Sequence, residues 1–108
     1  MDDLCNYIGG RFVTHSGDQW LDNNEPATGS HICRVPLSNS SDVDAAVAAA
    51  RLAHPTWGAL SHSERAGWLD RIADALEARY EEIAALESRD TGKPISLARA
   101  VDAHRSVS

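Results

Sequence analysis

Residues 61–93 constrain the fold more than any other stretch of the chain. Apolar residues fall at Leu69, Ile72, Ala73, Leu76, Tyr80, Ile83 and Leu86, at steps of three and four that lay them along one helical face. Ser61 with Glu64 three residues later has capping-box spacing, each side chain accepting a backbone N–H that the first turn leaves free. At the far end Gly92 can take the left-handed conformation that stops a helix, and Pro94 cannot continue one. The spacing predicts one long amphipathic helix, with a break near Ala78-Arg79-Tyr80 as the alternative that periodicity leaves open. Like charges face each other at Asp70/Asp74 and Glu77/Glu81, so packing rather than local propensity must hold the segment helical. A stripe of this kind has to be covered. The rest of the sequence has little to cover it with.

The 108 residues suit one small domain, and a chain of that length buries about 65% of its unfolded surface when it folds alone. Aromatic residues make up only 6% of it, and alanine supplies much of the 43% that is apolar. At about 25 cal/mol per Å² alanine contributes little per residue, so an autonomous core would be thin. The net charge of −6, spread along the sequence, argues against nucleic acid or an anionic membrane as partner. No segment approaches the roughly 20 apolar residues that span a bilayer. The acidic start Met1-Asp2-Asp3-Leu4 lacks the basic and apolar regions of a secretory signal. Cys5 and Cys33 are too few for a disulfide framework, so reduced thiols and a cytoplasmic location are expected.

Ahead of the long stripe, Asn6-Tyr7-Ile8-Gly9-Gly10-Arg11-Phe12-Val13 reads as a β-hairpin turning on its two glycines. A second strand pair, Gln19–Asp22 with His31–Val35, flanks the turn-forming run Glu25-Pro26-Ala27-Thr28-Gly29. A first helix is expected from Ser41, capped by Ser41 with Asp44, striped by Val43, Ala46, Val47 and Ala50, and ended by Pro55. Pro94 opens a last helix that carries Leu97, Ala98, Val101 and His104 or Arg105 at helical spacing. No stop signal follows it before Ser108, which is the pattern expected of a truncated piece.

Residues that carry chemistry are sparse. His15, His31, His54, His62 and His104 are scattered, with no i, i+4 pair or nearby cysteine of a zinc site; surface or half-buried positions are expected for them. Cys33 sits in a strand beside Arg34 without a His/Asn signature, so a packed thiol is expected rather than a nucleophile. Gly92-Lys93 is not a phosphate loop, because Glu87 and Pro94 occupy the positions where that motif needs glycine and a hydroxyl. Trp20, Trp57 and Trp68 read as packing anchors, and the acidic residues of the long helix as a solvated face. From the residues alone the chain is an α+β piece with an open apolar face.

The ordered series adds more. Tyr7-Ile8-Gly9-Gly10-Arg11-Phe12-Val13, Glu25-Pro26-Ala27-Thr28-Gly29, Arg34-Val35-Pro36, Asp42 to Arg51, Trp57, Glu64-Arg65, Ile72 to Glu77, and Leu86 to Pro94 follow one another with the gaps of a known pattern. The series resembles the N-terminal part of the aldehyde dehydrogenase superfamily, over nearly the whole length from Asn6 to Ser108. Ser96 to Arg99, Asp102 and Arg105 look most like its muconic-semialdehyde branch.

The resemblance implies an α/β fold: residues 1–108 would be the N-terminal hairpins and helices of a Rossmann-like cofactor-binding domain, truncated. It implies NAD or NADP as cofactor, an aldehyde substrate oxidised to a carboxylic acid, and a homo-oligomer as the complete enzyme. The chemistry of such enzymes is a cysteine nucleophile, hydride transfer to nicotinamide and a glutamate-activated water. Those groups belong to later parts of the family's chain, so neither Cys5 nor Cys33 inherits a role. One site carries over: a monovalent cation held at Asn23 or Asn24 and at Asp90, oxygen ligands that suit a hard ion. Glu25 departs from the asparagine usual before the proline, and Ala103-His104 from the usual Ile-Pro. Two functions are consistent with this reading. One is a piece of an aldehyde dehydrogenase, inert alone; the other is a short interaction module that binds or perturbs a full-length relative.

Overall fold

Gly9 and Gly10 reverse the chain with φ of 62° and 80°, the pair of positive angles that a tight hairpin requires and that side chains resist. The structure is a computed structural model describing residues 1–108. The chain divides into two units, Met1–Asn23 with His31–Leu60, and Asn24–Ser30 with Ser61–Ser108.

In the first unit, β1 (Asn6–Ile8) pairs antiparallel with β2 (Arg11–Val13), with Tyr7 opposite Phe12 and their rings 5.0 Å apart, edge to face. β3 (Trp20–Asn24) pairs with β4 (His31–Pro36) in a second two-stranded sheet. Both hairpins stand where the turn residues place them. Ahead of β1 the chain lies along β4: Leu4 N–H donates to the Arg34 carbonyl at 2.9 Å, and Asp3 takes the Arg34 backbone N–H at 2.8 Å and its guanidinium at 2.7 Å. That guanidinium also lies 4.6 Å from the centre of the Trp20 ring.

Helix α1 (Ser40–Gly58) is capped two residues earlier than Ser41 and Asp44 suggest. Asn39 Oδ1 accepts from the Ser41 and Asp42 N–H groups, while Asp42 accepts from the Asn39 N–H at 2.9 Å. Ser16 reinforces the arrangement, its N–H donating to Asp42 at 2.8 Å and its hydroxyl to Asn39 at 2.9 Å. The preceding loop thus selects Asn39. Pro55 does not end the helix; it lies in the final turns, where the Ala59 N–H reaches the Pro55 carbonyl at 3.1 Å and the Leu60 N–H the Trp57 carbonyl at 3.2 Å. Alanine-rich sequence ahead of it, the best helix former, carries the helix across the one bond that proline forfeits. Ile32, Cys33 and His15 are the buried side chains of this unit.

In the second unit the long stripe is two helices, α2 (His62–Glu77) and α3 (Tyr80–Thr91). Ser61 and Glu64 form the expected box, with the Ser61 N–H on Glu64 at 2.8 Å and the Glu64 N–H on Ser61 at 3.1 Å. The break falls at Ala78-Arg79, where Arg79 leaves helical geometry at φ −113° and ψ 21°. Its guanidinium turns onto Glu82 at 2.6 Å. Gly92 ends α3 in the left-handed region at φ 76°.

The last segment departs from its predicted stripe. After one helical turn, α4 (Ile95–Leu97), residues Ala98–Ala103 form a π-helix before α5 (His104–Val107). In an α-helix Ala98 and Ala103 would stand about 140° apart around the axis. Hydrogen bonding to the fifth residue brings them onto one face, and both are fully buried against Ala84, Tyr80 and Ile83. Three alanines let the two backbones close together. Polar contacts pin the arrangement: Lys93 Nζ on Asp102 at 2.6 Å, Arg99 on Glu81 at 2.9 Å, and the Tyr80 hydroxyl donating to the Arg99 carbonyl.

What these elements do not do is bury apolar surface. No residue of α1 or α2 is buried, and Phe12, Leu52, Leu69 and Ile72 are 77%, 83%, 60% and 55% exposed. Trp57 and Trp68, expected as packing anchors, are 42% and 48% exposed.

Two outcomes follow from this packing. Ala98→Leu, which forces a larger side chain between touching backbones, should cost about 1–3 kcal/mol. Leu52→Ala, at a position 83% exposed, should change stability by less than about 0.5 kcal/mol. Urea unfolding of the two variants ranks them, and a larger loss for Leu52→Ala would contradict the packing described. The second outcome is acid sensitivity. Arg89 first and Thr28 second hold the Glu25 carboxyl below its ordinary 4.5; the Ser61 backbone does the same for Glu64 and the Asn39 backbone for Asp42, ordinarily 3.8. Each group is more acidic folded than unfolded, so its contribution is complete above the ordinary value and is lost as pH falls through the lowered one. Helical circular dichroism should hold from neutrality to about pH 5 and decline below about pH 4; a gain of helix on acidification would refute the capping roles.

Candidate functional site

The turn from Glu25 to Ser30 brings together the two segments that the sequence nominates for a cation. The Glu25 N–H donates to the Ser30 carbonyl and the Gly29 N–H to the Glu25 carbonyl, both at 2.9 Å, with Gly29 at φ 73°. The Glu25 carboxylate then receives Thr28 Oγ1 at 2.7 Å on one oxygen and Arg89 Nε at 2.8 Å on the other. The Glu25 side chain is only 18% exposed. Arg89 sits in the last full turn of α3, three residues before Gly92, and a Cβ on Gly92 would stand 3.2 Å from Pro26 Cβ. Close approach of the turn therefore adds to the positive φ in requiring glycine there.

Asn24 immediately precedes Glu25 and Asp90 immediately follows Arg89, so the ion pair holds the two nominated segments side by side. Both residues are exposed. Asp90 and Asn23 each make a contact of their own. The donor chemistry fits a hard monovalent ion. Nowhere does the chain gather three His, Cys, Asp or Glu side chains that could hold a metal ion. Glu25 departs from the asparagine usual in the family, and in the structure it fastens the turn. Its carboxylate at glycine-rich turn spacing from Thr28, and a lone arginine at the end of α3, were the available signals.

Lys93 is likewise structural. Its ammonium lies 2.6 Å from Asp102 and 3.8 Å from Glu87, and its carbonyl accepts the Ser88 hydroxyl at 2.6 Å. With both carboxylates engaging it, the lysine ties the π segment to α3. No spacing rule links residues 93 and 102 in an ordinary α-helix, which is why the pair went unread.

The other candidates are where the sequence puts them, with one exception. Cys33 is a buried free thiol at 2% exposure and Cys5 an exposed one. His31 stands 4.0 Å from Asp22 on the surface, and His62 Nδ1 receives an Arg65 N–H at 3.0 Å. His15 is the exception: only 5% exposed, it is fully buried rather than at the surface or half-buried. Its Nε2 donates to the Gln19 carbonyl at 2.8 Å, which fixes the tautomer because a carbonyl only accepts. Its ring meets Trp20 edge to face at 4.7 Å. It packs the hairpin. No helix is long and apolar enough to cross a membrane.

Sequence and shape comparisons agree with one another. The model of the aldehyde dehydrogenase family matches residues 12–108. The 2-aminomuconic semialdehyde dehydrogenase of Bos taurus is 47% identical over 104 residues, which is 96% of this chain and 21% of that protein. Lactaldehyde dehydrogenase from Escherichia coli superposes with a TM-score of 0.91 at 39% identity, over 97% of this chain and 22% of that one. PnpE, solved in complex with nicotinamide adenine dinucleotide, gives 0.90 at 43% identity over 97% of this chain and 21% of its own. The chain thus spans about a fifth of the length of the relatives it matches. With both hairpins and the 25–30 turn in the places that the ordered series marks for them, the chain belongs to the aldehyde dehydrogenase family.

Proposed function

We propose that these residues are the opening fifth of an NAD-dependent aldehyde dehydrogenase and that alone they catalyse nothing. The observation that carries the reading is the mismatch between well-satisfied polar groups and uncovered apolar ones. Caps, turns and ion pairs close within each unit, yet α1 and α2 bury no residue. Elements of this kind are built to lie against further polypeptide, and relatives of the same fold are about five times as long. In this reading the nucleophile and the cofactor site belong to the remaining four-fifths. There, a cysteine thiolate would add to the aldehyde carbonyl, the cofactor would accept the hydride from the carbon of that adduct to leave a thioester, and water would release the acid and free the thiol.

Within the family we favour a muconic semialdehyde as substrate, on the 47% identity to the bovine 2-aminomuconic enzyme. NAD is preferred to NADP because PnpE, at 43% identity, was solved with NAD. The complete enzyme would be a cytoplasmic homo-oligomer, in keeping with two unpaired thiols. In it Asn24 and Asp90 would supply two oxygen ligands to a structural monovalent cation. The second reading, a short module that binds a relative, draws on the same exposed surface.

Joining residues 1–108 to the remaining four-fifths of the bovine 2-aminomuconic enzyme tests the proposal. The joined protein should reduce NAD+ in the presence of an aldehyde, at a rate within about tenfold of the parent, while the 108 residues alone should give no NADH absorbance. Turnover by the short chain alone would overturn its inertness. A folded but inactive joined protein, beside an active parent, would overturn its place in the enzyme.

A further inference from the structure

Strand β4 has two edges, and a segment from ahead of β1 lies on the outer one. The inner edge faces β3, and the Leu37 N–H just past β4 keeps to that side by donating to the Gln19 carbonyl at 3.0 Å. Backbone groups alternate in direction along a strand, so Ile32, Arg34 and Pro36 turn theirs outward. There the segment meets both groups of Arg34. Its N–H donates to Asp3 Oδ1 at 2.8 Å, and its carbonyl accepts the Leu4 N–H at 2.9 Å. Two side-chain clasps hold the segment at its ends. Asp3 Oδ2 accepts Arg34 Nε at 3.0 Å and Nη2 at 2.7 Å, bonds strengthened by the opposite charges. Three residues on, Asn6 Nδ2 donates to Ser38 Oγ at 2.8 Å, and the Ser38 hydroxyl donates back to Asn6 Oδ1 at 3.1 Å. The contacts advance together from Asp3 on Arg34 to Asn6 on Ser38, so the segment runs parallel to β4. Residues 3–5 have no strand geometry of their own; side chains, and no ladder, keep them in place.

We propose that residues 3–6 are an edge guard: a strap that keeps β4 closed to strand pairing, and whose release lets β4 pair antiparallel with β4 of a second copy. The device is independent of the family reading. An uncovered strand edge presents N–H and C=O groups that template another strand, and folded chains cover such edges with loops. The geometry of β4 selects a second copy as the occupant. Pro36 has no N–H to give, so Ile32 and Arg34 carry the outward donors of this edge. Antiparallel pairing of β4 with itself can set Ile32 opposite the partner's Arg34, and each pair then exchanges both of its backbone bonds. That register is two-fold symmetric, places Cys33 across from its counterpart, and keeps the two arginines from standing directly opposite, where like charges repel. It needs the Arg34 N–H and carbonyl that Asp3 and Leu4 now hold. Strap and second copy are therefore mutually exclusive.

Deleting residues 1–5 tests the guard, because it removes the strap and leaves β1 to begin at Asn6. Self-association is measured by sedimentation equilibrium, and helix content by circular dichroism. The shortened chain should self-associate at least tenfold more tightly than the 108-residue chain, with helix content unchanged. Adding Arg34→Pro to the deletion removes the outward N–H at an edge position, where proline is tolerated, and should return self-association to the level of the 108-residue chain. A full-length variant with Asp3→Ala and Asn6→Ala keeps the strap but opens both clasps, and should also associate more tightly. A folded shortened chain that associates no more tightly than the 108-residue chain would overturn the proposal. So would tight association that Arg34→Pro leaves unchanged, since some other surface would then be responsible. Should the deletion cost helix content, the double-alanine chain, with and without Arg34→Pro, decides by the same two criteria.

Discussion

Apolar burial is the quantity in shortest supply in this chain, and its deficit governs the rest. Buried hydrophobic side chains are limited to Ile32, Cys33, Ala84, Ala98 and Ala103, of which three are alanines. At about 25 cal/mol per Å² such residues offset only a small part of the conformational entropy that ordering 108 residues costs. The structure therefore leans on local devices. Asn39 with Asp42 and Ser61 with Glu64 close two helix starts, Gly92 closes one end, and Glu25 with Arg89 fastens a turn onto it. Each of these shapes an element, and none of them buries the faces of α1 and α2.

Those faces explain which features were legible in the sequence. Signals confined to a few neighbouring residues were readable: the Gly9-Gly10 turn, the Ser61 box, the Gly92 stop and the turn at residues 25–30 all stand where their chemistry puts them. Signals that compete with a distant contact were not. Ser41 and Asp44 have capping-box spacing, yet Ser16 reaches across and favours Asn39 with Asp42. Pro55 is a sound stop signal, overridden by the alanines before it. The stripe at Leu97, Ala98 and Val101 assumed 3.6 residues per turn, whereas packing Ala98 and Ala103 together against Ala84 needed a wider turn. Periodicity has no means of announcing a π segment.

The nominated cation site shows the same division. Asn24 and Asp90 were named from resemblance, and nothing in their own spacing joins them across more than sixty residues. What puts their segments side by side is the Glu25–Arg89 pair, and the glutamate looked like a departure from the family's pattern when read alone. Lys93 with Asp102 performs a parallel task at the other end of the same unit. Charged residues here position segments.

Acrylamide quenching of tryptophan fluorescence measures the missing cover most directly. Trp57 and Trp68 are 42% and 48% exposed in this chain, while Trp20 is held between His15 and Arg34. With single-tryptophan variants, Trp57 and Trp68 should quench readily in the 108-residue chain and at least about threefold less once the remaining four-fifths is joined to it, with Trp20 little changed. Equal quenching of Trp57 and Trp68 in both forms would mean that the apolar faces were never meant to be covered by the rest of the enzyme.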